Sequence, residues 1–168
     1  MKEIKLIVDG KEVKLTEEQI KVLGFEVEKN HFERCKDNEK YFYLDSKGKV
    51  YNHLEAHDKV DNMLYLVANY CTDKELMTKR AKQEVLNRLL WRFSMENGWD
   101  DSLWEDTDKK YCVFFGCSTK EYLITYSCSC KIEGAVYFKS REIAQRAIDE
   151  IIIPFEKGKL EVCKIWEE

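Results

Sequence analysis

Residues 72–98, TDKELMTKRAKQEVLNRLLWRFSMENG, decide the fold. Met77, Ala81, Val85, Leu89 and Phe93 recur at every fourth position, and Leu86 and Leu90 widen that stripe. An apolar face this broad belongs to a helix covered by a sheet or another helix rather than to a coiled-coil seam. Thr72 and Glu75 have the spacing of a capping box, and Gly98 suits the left-handed residue that ends a helix. The pattern predicts a helix over 72–97, and everything else in the chain has to supply its cover.

Upstream, residues 3–15 alternate around Asp9-Gly10, a strong hairpin signal. Thr16 then caps a short helix, TEEQIKVLG, with Gln19 closing a capping box and Gly24 ending it. This hairpin–helix unit, residues 1–24, has too little apolar surface to fold alone and reads as an appendage to a main domain over 25–168. Residues 31–36 and 40–45 read as strands around Asp37-Asn38, and Ser46-Lys47-Gly48 turns into a further strand, KVYNHL. Residues 55–62 read as a polar loop. The apolar run 64–70 is too short for periodicity to choose between strand and helix.

Downstream of the long helix comes a charged connection, WDDSLWEDTDKK. Residues 110–115 and 121–126 then form an antiparallel pair around Ser118-Thr119-Lys120, followed by a third strand over 132–138. Ser140 caps a second helix over 140–153, with Ile143, Ala144, Ala147, Ile148 and Ile151 inward. Pro154, the only proline, is expected to stop it. A last strand, 160–166, closes the chain. The fold class is α+β, mostly antiparallel sheet with two main helices packed on it.

Composition narrows the function. At 168 residues, the chain has the length of one domain with a sizeable core. Charged residues make up 36%, which gives a well-solvated surface, and the net charge of -4 argues against a generally basic nucleic-acid binder. No run approaches the roughly 18 apolar residues of a membrane span. The opening MKEIKLIVDG lacks the apolar core of a signal peptide, so the expected location is cytoplasmic. The seven cysteines are then expected as reduced thiols, and their odd number rules out complete internal pairing.

Two longer stretches, NYCTDKELMTKRAKQEVLNRLLWRFSM (69–95) and GAVYFKSREIAQRAIDEI (134–151), together with the N-terminal GKEVKLTEEQ, resemble small accessory proteins of bacteriophages and prophages of Gram-positive, especially clostridial, bacteria. Such proteins include inhibitors of host defence, notably of CRISPR RNA-guided nucleases. The resemblance implies a host defence protein as partner and supplies no catalytic motif.

The residues themselves offer one surface of that kind. Glu96, Asp100, Asp101, Glu105, Asp106 and Asp108 fall with no basic residue among them, and Trp99, Leu103 and Trp104 are interleaved. Acidic groups with aromatic anchors suit docking on a basic groove, where charge complementarity speeds encounter and Trp supplies binding energy. The partner-binding set is therefore Trp99, Asp100, Asp101, Trp104, Glu105, Asp106 and Asp108. The plainer alternative is a solvated connection whose tryptophans pack under the long helix.

A second surface comes from GAVYFKSREIAQRAI, which also resembles the central strand and following helix of an RNA-recognition motif. It would need Tyr137 exposed for base stacking, with Lys139 and Arg141 beside it. One extra strand, and Glu133 where a basic residue belongs, depart from that pattern.

Metal and catalytic motifs are incomplete. Cys112 should lie opposite Thr125 or its neighbour. Cys128 is then on the order of 10 Å further along the strand, too far for zinc–sulfur bonds of about 2.3 Å. HLEAH, with His53 and His57, places its Glu wrongly for a zinc protease. There is no glycine-rich phosphate loop and no G-x-S-x-G. The sequence points to no metal, no cofactor and no catalytic residue, hence to a non-enzymatic interaction protein.

Overall fold

The long helix, α3, spans Lys74–Glu96, and the remaining elements divide between its two halves. The computed structural model describes residues 5–8, 11–24, 30–100, 102, 104 and 108–166. The class is α+β: helices pack with small antiparallel sheets. On α3, Met77, Ala81, Val85, Leu90 and Phe93 are buried, as their spacing requires. The N-cap, however, is Asp73, whose side chain accepts from Leu76 N at 2.9 Å. Thr72, the cap expected from the sequence, is engaged elsewhere. Its backbone N–H donates to His31 O at 2.9 Å, and its hydroxyl lies 3.2 Å from His31 Nδ1. Aspartate caps as well as threonine, so local preference could not separate neighbours; the tie to His31 did.

At the N-terminus, β1 (Lys5–Val8) pairs with β2 (Lys11–Lys14), and α1 spans Glu17–Val22. Thr16 and Gln19 exchange the two bonds of a capping box, and Gly24 is left-handed at φ 73°.

The N-terminal half of α3 is covered by β3 (Lys40–Leu44) and β4 (Val50–Leu54). Alternation sends Phe42, Leu44 and Val50 toward α3, where they join Met77, Ala81 and Cys71. The turn between the strands requires glycine. Gly48 is at φ 90°, and a Cβ there would meet Val85 Cγ2 at 2.4 Å. The expected strand over 31–36 is not formed; the segment runs as turns and irregular chain. The third partner of this hairpin comes from 69–71. Asn69 brackets the Leu44 backbone with two 2.8 Å side-chain bonds, and Cys71 exchanges backbone bonds with Phe42.

The expected loop over 55–62 gives way to α2 (Lys59–Leu66), capped by Asp58 and Asp61 in a reciprocal box. This helix inverts ordinary amphipathicity: Asp61 is buried, whereas Val60, Met63 and Leu66 are exposed.

The C-terminal half of α3 is covered by β5 (Lys110–Gly116), β6 (Glu121–Ser127) and β7 (Tyr137–Phe138), ordered β6-β5-β7, and by α4 (Arg141–Ala147). Cys112 pairs with Thr125, the register expected from the turn. The third strand is shorter than expected: only Tyr137 and Phe138 pair with β5, while 132–136 turn back. Ser140 caps α4 by accepting from Ile143 N at 3.3 Å. Phe138, Ala144, Ala147 and Ile148 close on Leu90 and Phe93 to form the largest apolar core among the described residues.

Pro154 does not stop this helix. A π-helical turn, Ile148–Ile152, precedes α5 (Ile153–Glu156), and Ile153 N donates five residues back to Ile148 O. Proline has no N–H to donate, and the wider turn accommodates that loss before the chain continues. Residues 161–166 form a 3₁₀ helix, Glu161–Trp166, in place of the expected last strand. Cys163 and Trp166 are held by packing with Val85 and Phe155, and the Trp166 indole donates to Gly48 O at 3.0 Å.

Candidate functional site

Trp99 and Trp104, the described aromatic residues of the acidic connection that follows α3, lie against the three-stranded sheet. Along β5, Tyr111 and Val113 face the large core, so Lys110 and Cys112 face the other way. Tyr137, opposite Cys112 on β7, shares that outer face. Trp99 stacks on the Tyr137 ring at 5.8 Å, and Trp104 meets it edge-on at 4.9 Å. The two indoles touch each other at 6.1 Å. Beneath them Lys110 is buried. Its ammonium lies 5.0 Å from the Trp104 ring and donates to Cys128 O at 3.2 Å. Lys131 approaches the same indole at 5.9 Å. A cation between an indole face and a carbonyl is stabilised by the ring quadrupole as its water is removed.

This geometry divides the sequence-derived residues. Trp99 and Trp104 are partly buried as clamps on the sheet. Asp100 and Asp108 are exposed. The Asp100 carboxylate accepts from the Ser102 hydroxyl at 2.7 Å and from its backbone N–H at 2.9 Å, which lowers its pKa. Asp101, Glu105 and Asp106 lie outside the described residues. Tyr137 is 2% exposed, and its hydroxyl accepts from Ile132 N at 2.8 Å. Its ring therefore offers no face to a base, which removes the stacking platform that the alternative surface required. Lys139 and Arg141 are exposed.

A second polar cluster, heavily hydrogen-bonded, carries no signal in the sequence. Glu55 and Asp61 are each 0% exposed. Glu55 Oε1 accepts from Arg34 at 2.8 Å and from His57 N at 2.9 Å; Oε2 accepts from the Tyr70 hydroxyl at 2.8 Å. Asp61 Oδ1 accepts from the Tyr41 hydroxyl at 2.6 Å, and Oδ2 from Ala56 N at 2.8 Å and Asp58 N at 3.3 Å. The Tyr41 and Tyr70 rings stack at 4.2 Å between the carboxylates.

Arg34 holds the Glu55 pKa down against the upward pull of burial, helped by Tyr70 and His57 N. Burial pushes the Asp61 carboxyl up, but Tyr41 and the two backbone donors outweigh it and bring it down to about 2. Burial raises both tyrosines above the ordinary range, joined at Tyr41 by its bond to Asp61 and at Tyr70 by the Cys35 thiol and then Glu55. The cluster thus holds two buried anions whose lone pairs are met by donors. That arrangement ties α2 to the hairpin through hydrogen bonds. Its partners come from 34, 41, 55, 61 and 70, a spacing no motif encodes.

The cysteines are free thiols, with Cys71, Cys112 and Cys163 buried. Among the described residues no group of three or more His, Cys, Asp and Glu is placed to hold a metal ion. Among them, too, no helix is long and apolar enough to cross a membrane. No family model matches the chain, and neither a curated protein nor a solved structure matches it.

Proposed function

We propose that this protein is a non-enzymatic binding module whose acidic connection, residues 99–108, docks on a basic groove of another macromolecule. The observation that supports this reading is the clamp: Trp99 and Trp104 close on Tyr137 while Asp100 and Asp108 face solvent. An acidic segment anchored at two points loses less freedom on binding than a loose one, which favours affinity. The tryptophans here act through the sheet instead of entering the partner.

In its most concrete form, the partner is a host defence protein, a CRISPR RNA-guided nuclease whose nucleic-acid channel is basic. The protein would occupy that channel as a charge mimic. That form rests on the resemblance to phage accessory proteins described above.

A cleavage assay with a purified RNA-guided nuclease of a clostridial host tests it. The wild-type chain should inhibit target cleavage. The fourfold variant Asp100, Asp101, Asp106 and Asp108→Lys should lose inhibition at least 100-fold, about 2.7 kcal/mol, with its melting temperature nearly unchanged. Full inhibition by the reversed variant would reduce the segment to a solvated connection. A gel-shift with single-stranded RNA and DNA separates the competing function. Salt-sensitive binding by the chain alone would favour a nucleic-acid module using Lys139 and Arg141.

A further inference from the structure

A second surface is independent of the acidic connection. A cleft of about 600 Å³ opens between the N-terminal half of α3 and the C-terminal end of the chain. Its volume falls within the roughly 300–1,000 Å³ of small-molecule sites. The floor is apolar and firmly held: Leu86, Phe155, Cys163 and Trp166 line it, and all four belong to the cluster around Val85. The Phe155 and Trp166 rings meet nearly edge-to-face at 5.9 Å.

The rim is charged on two sides. Lys79 and Lys82, exposed and one turn apart on α3, form one edge. Tyr122 and Glu156 form the other, with the tyrosine hydroxyl donating to the carboxylate. The Lys82 ammonium already lies 5.7 Å from the Trp166 ring, so cation and aromatic surface adjoin. Phe155 and Glu156 enter the cleft just after the π turn Ile148–Ile152, the kind of helix irregularity that often re-aims side chains at functional sites.

A ligand that uses all three features has a flat ring, an anionic group beside it and hydroxyl or amino donors on the far side. We propose that this cleft binds a nucleotide. The base lies against Trp166, the phosphate meets Lys79 and Lys82, and Glu156 accepts from a sugar hydroxyl or exocyclic amine. Ring stacking tolerates any base, so selectivity for the phosphate rests on the lysines. Neither half of the ligand satisfies the site alone. A nucleoside leaves the cations unmatched, and inorganic phosphate leaves the ring uncovered.

Titration calorimetry on the full-length chain with AMP, adenosine and inorganic phosphate tests the assignment. AMP should bind saturably, at least tenfold more tightly than adenosine or phosphate. In the Lys79→Ala/Lys82→Ala variant, AMP affinity should fall at least tenfold with the melting temperature unchanged, because both side chains are exposed. Glu156→Gln should weaken AMP several-fold while leaving phosphate unaffected. The indole N–H resonance of Trp166 should shift with AMP and stay still in the double variant. Absence of saturable AMP binding, equal affinity for adenosine, or undiminished affinity in the double variant would each overturn the proposal. The charge-reversed connection described above should bind AMP like the wild type, so the two functions fail separately.

Discussion

The two ends of α3 are secured by opposite chemistry. At the C-terminal end Leu90 and Phe93 meet Phe138, Ala144 and Ile148 in apolar packing. At the N-terminal end the hairpin β3–β4 is two-sided. Phe42 and Leu44 serve α3, while Tyr41 turns to Asp61 and to the Tyr70–Glu55 pair. Apolar packing is non-directional and tolerates moderate exchange of shape. The polar cluster is directional: each oxygen of Glu55 and Asp61 accepts from named donors, and losing one carboxylate strands the groups that donate to it. One helix thus connects a forgiving region with an unforgiving one.

The largest effect should come from Asp61→Ala. It leaves the Tyr41 hydroxyl and the Ala56 and Asp58 amides without their acceptor, at a cost of about 4 kcal/mol in a denaturant melt, since each stranded buried group costs about 1–3 kcal/mol. A loss below 1 kcal/mol would mean that the cluster is not a fixed network. Val85→Ala, at the middle of α3, should cost less, about 2 kcal/mol, because neighbouring side chains can partly close the gap.

The same contrast appears in pH dependence. Glu55 and Asp61 titrate below their ordinary values of 4.5 and 3.8 in the folded state. Groups with depressed folded values contribute stability that is complete above the unfolded values and is lost as pH falls through the folded ones. The melting temperature should therefore hold from neutral pH to about pH 5 and then fall toward pH 2, with little change in the apolar region. Asp61→Asn should flatten the lower part of that fall, as read by circular dichroism.

A smaller effect separates neighbouring caps. Asp73→Ala should cost about 1 kcal/mol with fraying of the first turn of α3, seen as faster amide exchange at Leu76. Thr72→Ala should leave that amide protected and loosen the segment near His31. The smallest effect belongs to Asp100→Lys and Asp108→Lys, each within about 0.5 kcal/mol of wild type because exposed charges contribute little to folding.

Much of the architecture was legible in sequence because it rests on short-range rules. The four-residue stripe of α3, the Thr16–Gln19 box, the Ser140 cap and the Cys112–Thr125 register are set by residues a few positions apart. Misreadings arose where a distant contact overrode local preference. Residues 160–166 read as a strand in the sequence, yet 161–166 form a 3₁₀ helix and Trp166 reaches Gly48. The apolar run 64–70 left strand and helix open; its first residues end α2, where Leu66 is 77% exposed and the buried residue is Asp61.

The candidate surface divides along the same line. Its charge and its two tryptophans were plain in the sequence; their roles were not. An indole looks the same in sequence whether it anchors a partner or lies on its own sheet, and the position of Tyr137 beneath both rings made the difference.

The chain by itself determined α1, α3, the start of α4, the hairpin turns and the α+β class, because caps and periodicity act over a few residues. Only the tertiary structure decided that Tyr137 is covered, that Glu55 and Asp61 share one buried cluster, and that Lys82 and Glu156 face across a cleft. Those juxtapositions join residues far apart in the chain, and burial and hydrogen bonding depend on where such residues meet.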